Sequence, residues 1–244
     1  ANAAHSNTTG FNNVALGYQA LQSNTTAAGN VAVGWSALYS TTSGNSNTAV
    51  GREALYLNTA NGNTAIGYRS LYVNTSGTGN VAVGHSPLIA NTTGNYNTVV
   101  GSACGSANTT GSDNVAMGYG AYNAATTGGS NTAIGRLALY AMTTTSNNTA
   151  VGRSALQSCT TGGYNVAVGA YALDNNTTGQ QNTAVGYDSL GANTTGIYNT
   201  AMGTNALRSN TTANSNTAFG WSALNANTTG TSNTAVGRGA LQVH

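Results

Sequence analysis

The sequence contains no lysine, only six arginines and four acidic residues, so charged side chains make up 4% of 244 positions. A typical soluble domain carries about 25%. The net charge of +2 provides no phosphate-binding face, which argues against nucleic acid as a partner. No apolar run approaches the roughly 18 residues of a membrane span, so no membrane insertion is expected, and no signal peptide is visible. Low charge can accompany disorder, but disordered chains usually carry high net charge and few β-branched residues. This chain is instead rich in Val and Thr: 39 Thr, 35 Asn and 33 Gly fill 107 positions. The first residue is Ala1 rather than Met, which suggests a processed product or a fragment.

The composition is explained by a repeat, and a repeat decides the fold. Units begin at Asn13, Asn30, Asn47, Asn63, Asn80, Asn97, Asn114, Asn131, Asn148, Asn165, Asn182, Asn199, Asn216 and Asn233. Every interval is 17 residues except that from Asn47 to Asn63, which is 16. With each of these asparagines as column 1, the consensus is N-T-A-V-G-x-x-A-L-x-x-N-T-T-G-x-x. The repeat occupies the whole chain, residues 1–244, as a single domain with no linker or composition shift.

The columns read as strand and turn. Column 2 is always Val or Thr, column 4 is always apolar, and column 9 is Leu except at Gly105 and Tyr122. β-Branched residues favour strands. The Gly at column 5 marks a bend or a close backbone approach. Asn-Thr-Thr-Gly at columns 12–15 reads as a second turn. Seventeen residues cannot hold a helix pair, and Gly, Asn and Thr are weak helix formers. The expected fold is therefore all-β, a parallel β-solenoid of about 14 coils stacking at about 4.8 Å, roughly 65 Å in all. The column-1 asparagines would form a hydrogen-bonded ladder from coil to coil.

The consensus N-T-A-V-G-x-x-A-L, as in Asn182-Thr183-Ala184-Val185-Gly186-Tyr187-Asp188-Ser189-Leu190, resembles two sets of surface fibres. One is the head of trimeric autotransporter adhesins, whose repeat builds a β-roll from three chains. The other is the repeat of phage tail-fibre-like and bacterial surface proteins. The resemblance covers essentially the whole chain. It implies a trimeric β-roll displayed outside the cell, on a cell surface or on a virion.

Side-chain chemistry favours a structural role over catalysis. Glu53, Asp113, Asp174 and Asp188 fall in different coils, as do His5, His85 and His244, so no metal set and no nucleophile–base pair assembles in one chain. No enzyme activity and no cofactor are expected. Cys104 and Cys159 lie three coils apart, about 14 Å along the axis, beyond disulfide reach. Small-residue packing explains them, with pairing between chains as the alternative. Asn-Thr-Thr sequons at Asn7, Asn24, Asn91, Asn108, Asn176, Asn193, Asn210 and Asn227 read as turn-ladder residues, since glycans about 4.8 Å apart would crowd.

Column 6 follows the Gly bend and is expected to face outward. It holds Tyr18, Trp35, Arg52, Tyr68, His85, Tyr119, Arg136, Arg153, Tyr187, Trp221 and Arg238. This stripe is a candidate surface for a cell-surface receptor or carbohydrate. The competing reading is that its rings cover the Gly corner or pack on a neighbouring chain. Columns 4 and 9, bulky and apolar, are expected to point inward. Columns 3 and 5, Ala and Gly, would then meet a neighbouring chain of a homotrimer; the alternative is that this face lines a tight single-chain interior. End coils without a polar cap also suggest end-to-end stacking. The leading function is a rigid structural segment of an extracellular fibre or filament with an adhesive role. The alternative is an ice-binding solenoid using the unbroken column-13 threonines, from Thr8 to Thr228.

Overall fold

A computed structural model describes residues 2–242. The chain forms two compact units, Ala1–Gly120 with Ala124–Thr127, and Ala121–Asn123 with Gly128–His244. The first carries strands β1 (Val14–Leu16), β2 (Val31–Val33), β3 (Thr48–Val50), β4 (Thr64–Ile66), β5 (Val81–Val83), β6 (Thr98–Val100) and β7 (Val115–Met117). The second carries β8 (Thr132–Ile134), β9 (Thr149–Val151), β10 (Val166–Val168), β11 (Thr183–Val185), β12 (Thr200–Met202), β13 (Thr217–Phe219) and β14 (Thr234–Val236). Within each unit the strands pair in parallel, in chain order, one per coil. No helix occurs among the described residues. The fold is the expected all-β parallel solenoid.

Every strand covers columns 2–4 in register, so that Val166 faces Thr183 and Val168 faces Val185. The 16-residue interval does not shift the register: Thr48 pairs with Thr64 and Val50 with Ile66. The lost residue is absorbed in the turn.

The strand phase is the reverse of the expectation. Column 3 is the inward column: Ala32, Ala49, Ala65, Ala82, Ala133, Ala150, Ala167, Ala184, Ala201 and Ala218 are fully buried. Column 4 points out, with Leu16 66%, Met117 47% and Phe219 52% exposed. No residue of columns 2 or 4 is buried among the described residues. The reason is the size of the coil. A 17-residue turn already encloses the column-9 leucine, such as Leu173, Leu190 or Leu207, and in these coils two asparagine side chains, all fully buried. Only a methyl group fits opposite them, because protein interiors close-pack and tolerate little extra volume. Leu at column 9 is inward as expected.

The column-3 Ala thus lines the coil interior, as the single-chain alternative expects. The column-5 Gly is not part of the strand. Its φ lies near +135° at Gly34, and an added Cβ there would sit 2.6 Å from the Gly51 carbonyl oxygen. Only glycine allows neighbouring coils to approach this closely.

The corner after this Gly has an unforeseen geometry. Columns 7 and 9 hold left-handed residues that are mostly not glycine: Ser154 at φ 56° and Leu156 at φ 51°, Ser36 at φ 54° and Leu38 at φ 50°. A left-handed Leu is unfavourable by about 1–2 kcal/mol, which full burial of its side chain, worth about 1.5–3 kcal/mol, offsets. The conformation turns alternate N–H groups in opposite directions, while the Ala155 N–H between them donates to the Gly152 carbonyl of its own coil. Ser154 N–H donates to the Arg136 carbonyl of the preceding coil, and Leu156 N–H to the Ala172 carbonyl of the next. The corner thereby stays hydrogen-bonded without being a strand.

Candidate functional site

Two buried asparagine columns form the polar interior. In column 1 the Oδ1 of each Asn accepts the backbone N–H of the next column-1 Asn at 2.9–3.1 Å, from Asn13 to Asn114 in the first unit and from Asn131 to Asn233 in the second. The Asn165 amide also donates to the Gly179 carbonyl at 2.9 Å. Each such side chain therefore satisfies a column-1 N–H that would otherwise be buried without a partner, and shares a turn carbonyl with column 12, as Asn165 and Asn176 share that of Gly179.

Column 12 is a second ladder, which the turn reading of Asn-Thr-Thr-Gly did not place indoors. Asn91 donates to Asn74 Oδ1 and Asn108 to Asn91 Oδ1, both at 2.9 Å. In the second unit Asn193 and Asn210 do the same. This ladder is interrupted at Thr41 and again at Ala125, Met142 and Cys159. The acceptors facing those breaks, Asn24 Oδ1 and Asn108 Oδ1, are buried with no partner. The sequon asparagines from Asn24 to Asn227 belong to this column and are buried, whereas Asn7 is exposed. The buried amide nitrogens are ladder donors, out of reach of a glycan.

The column-13 hydroxyls are engaged too. Thr8, Thr25, Thr59, Thr75, Thr92 and Thr109 donate to the carbonyl of the next coil's threonine, as do Thr143, Thr160, Thr177 and Thr194. The column-2 threonines differ. Thr48, Thr64 and Thr98 in the first unit, and Thr132, Thr149, Thr183, Thr200, Thr217 and Thr234 in the second, lie on the outer strand face beside column 4. Their hydroxyls make no hydrogen bond among the described residues.

The column-6 side chains reach solvent. Tyr18, Trp35, Arg52, Tyr119, Arg136, Arg153, Tyr187, Trp221 and Arg238 are exposed and Tyr68 is half-buried. The structure concentrates chemistry in one part of this stripe. The Arg52 guanidinium lies between two rings, 4.9 Å from the Trp35 centroid and 5.7 Å from that of Tyr68. Arg69 lies between Tyr68 and Tyr72, at 5.2 and 5.1 Å. Glu53, with 7% of its side chain exposed, accepts Arg69 Nε at 2.5 Å and has an Arg52 terminal nitrogen at 3.7 Å. The hydrogen bond to Glu53 raises the Arg69 pKa. Tyr39, Tyr56 and Tyr72 stack alongside with centroids 5.0 and 5.1 Å apart. Burial, then its two ring neighbours, raises the Tyr56 phenol. This cluster joins columns 6, 7 and 10 of successive coils. The sequence signal for it is the coincidence of large residues at those columns between Trp35 and His85.

In the second unit Arg153 lies 5.4 Å from the Tyr171 ring and Arg238 5.1 Å from the Trp221 ring. Asp188 pairs with Arg208 at 2.5 Å beside Gly191. A Cβ at residue 191 would collide with the Asp188 carboxylate, so the glycine opens the notch that holds the pair. Burial and the neighbouring Asp188 raise the Asp174 carboxyl. Cys104 and Cys159 are buried free thiols, and desolvation pushes their pKa values up to about 12 and about 11.

Among the described residues no three His, Cys, Asp or Glu side chains come together as metal ligands, and no helix is long and apolar enough to cross a membrane. His244 lies outside the described residues. Comparison with protein-family models and with curated proteins finds no match to this sequence.

Proposed function

We propose that the chain is a structural segment of an extracellular fibre, on a cell surface or virion, that associates with copies of itself as a homotrimer and carries an adhesive stripe. The observation that carries this reading is the outer strand face. In the first unit it presents Leu16, Val33, Val50, Ile66, Val83, Val100 and Met117 at column 4. In the second it presents Ile134, Val151, Val168, Val185, Met202, Phe219 and Val236. No charged residue interrupts columns 2–4 in either unit. A contiguous exposed apolar row of this kind marks an interaction surface, and a closed symmetric assembly of identical faces buries it. The interface is thus the Val/Thr face and not the Ala–Gly face. Light scattering tests it. A trimer that dissociates on Val151→Asp is expected; a wild-type protein that melts cooperatively as a monomer at micromolar concentration would refute it.

An ice-binding reading has its own support in the free column-2 hydroxyls, and it moves from column 13 to the strand face. Regular hydroxyls beside methyl groups suit ordered water. Thermal hysteresis of the wild type that is lost on Thr183→Leu with Thr200→Leu would favour it over the fibre; no hysteresis would remove it.

A further inference from the structure

We propose that the Trp35–Arg52–Tyr68–Arg69 stack is the adhesive site and binds carboxylated polysaccharides, with Arg52 receiving the sugar carboxylate and Trp35 the apolar face of the sugar ring. This names the ligand of the adhesive stripe proposed above, and it rests on that part of the reading alone.

The argument begins with what the guanidiniums have left to offer. Rings cover the faces of Arg52 at 4.9 and 5.7 Å, so its planar N–H edge is the part left for solvent. Its side chain is 59% exposed. Among the described residues the Arg52 guanidinium makes no hydrogen bond, and that of Arg69 makes only the one through Nε to Glu53. Arginine has five N–H donors in a planar fork that matches a carboxylate in bidentate fashion. One buried carboxylate, Glu53, serves two guanidiniums, so the cluster keeps a net positive charge for an incoming anion. Stacking also fixes the fork before the ligand arrives, which lowers the entropy lost on binding.

The rings point to a sugar. Trp35 is 42% exposed. Arg52 covers one of its faces, and it makes no ring contact with Tyr18 of the preceding coil. Its remaining surface is free for the C–H face of a pyranose, a common use of aromatic side chains with one apolar and one wet side. Coils advance by about 4.8 Å, so a polymer lying along the stripe meets Arg52 and then Arg69 with successive acidic groups. The arginines of the second unit lack this arrangement. Among the described residues Arg153 and Arg238 each contact a single ring and have no acidic partner, Arg208 pairs with Asp188 but contacts no ring, and Arg136 has neither.

The test titrates a galacturonate oligosaccharide, and separately its methyl ester, into the full chain. The Trp221→Phe variant leaves Trp35 as the only tryptophan and reports binding by fluorescence. Saturable binding of the acid with a change in Trp35 emission is expected, with at least tenfold weaker binding of the ester. Arg52→Gln should weaken binding at least tenfold, and Arg136→Gln should leave it unchanged. All variants are first checked for a wild-type melting curve. If Arg52→Gln does not fold, the ratio of acid to ester affinity in the Trp221→Phe protein decides alone. Equal binding of acid and ester, equal loss in both arginine variants, or no saturable change at millimolar oligosaccharide would overturn the proposal. None of these results bears on the oligomeric state, which light scattering reads separately.

Discussion

The two sides of one three-residue strand have opposite chemistry and opposite tolerance. In β9 the inner residue is Ala150, fully buried, and its outer neighbours are Thr149 and Val151, both partly exposed. The small residue is inside and the large ones are outside, the reverse of the usual amphipathic strand. The difference shows that in a thin coil available volume, more than hydrophobicity, selects the inward residue. In most coils the interior is already filled by one Leu and two Asn, and hydrogen-bonded amides share it with methyl groups.

Among uncharged substitutions, removing an interior amide should have the largest effect. Asn165→Ala leaves the Asn182 N–H without its partner and takes from the Gly179 carbonyl one of its two amide donors, the other being Asn176. Buried unpaired groups are unfavourable by about 1–3 kcal/mol each. A loss of roughly 2–4 kcal/mol in denaturant unfolding is expected, from one unpaired N–H and one lost hydrogen bond, against almost none for Gln157→Ala on the surface.

The buried thiols probe the same interior chemically. With pKa values pushed up to about 12 and about 11, Cys104 and Cys159 stay protonated in the folded chain when the unfolded chain ionises near 9. The folded state then binds more protons than the unfolded state, so stability falls as pH rises. That contribution is complete below about pH 9 and is lost between about 9 and 12. A thiol reagent at pH 8 should label both cysteines only after denaturation.

Overpacking comes next. Ala184→Leu should cost about 1–3 kcal/mol by forcing neighbouring side chains apart, while Val185→Leu on the other side should stay within about 0.5 kcal/mol. Equal effects would mean that the sides are not distinct.

Repairing the second ladder should stabilise. Thr41→Asn places an amide donor opposite Asn24 Oδ1, which has no partner. The variant forfeits the Thr41 bond to the Asn58 carbonyl, and a net gain of about 1 kcal/mol in unfolding free energy is expected. The smallest effect belongs to the outer turn. Tyr164 is exposed at φ 60°. Tyr164→Asn should raise stability by up to about 1 kcal/mol, because Asn tolerates the left-handed region better.

The period, the parallel coils, a strand beginning at column 2 and the inward Leu were all legible in the sequence, although the strand ends at column 4 and leaves out the column-5 Gly. They rest on β-propensity and on repetition, which no tertiary detail overrides. The inward side of the strand was not legible. Three residues give one alternation, and Ala150 and Val151 are both apolar enough to be buried. The left-handed corner gave no signal either, because Ser154 and Leu156 stand where Gly or Asn would announce it. The column-1 asparagines were visible as a ladder, but the column-12 ladder was hidden because Asn-Thr-Thr-Gly is also good turn chemistry. The Glu53–Arg69 pair spans 16 residues and appears only when coils are stacked in register.

The central claim is that Ala lines the coil and the bulky apolar column lies outside it. The most direct measurement is the denaturant unfolding of Ala150→Asp beside Val151→Asp, each at a concentration where the wild type is dissociated. An aspartate inside the coil would be an unpaired buried charge. Ala150→Asp should therefore abolish the cooperative transition, and Val151→Asp should unfold within about 1 kcal/mol of the wild type. A folded Ala150→Asp protein beside an unfolded Val151→Asp protein would contradict the account.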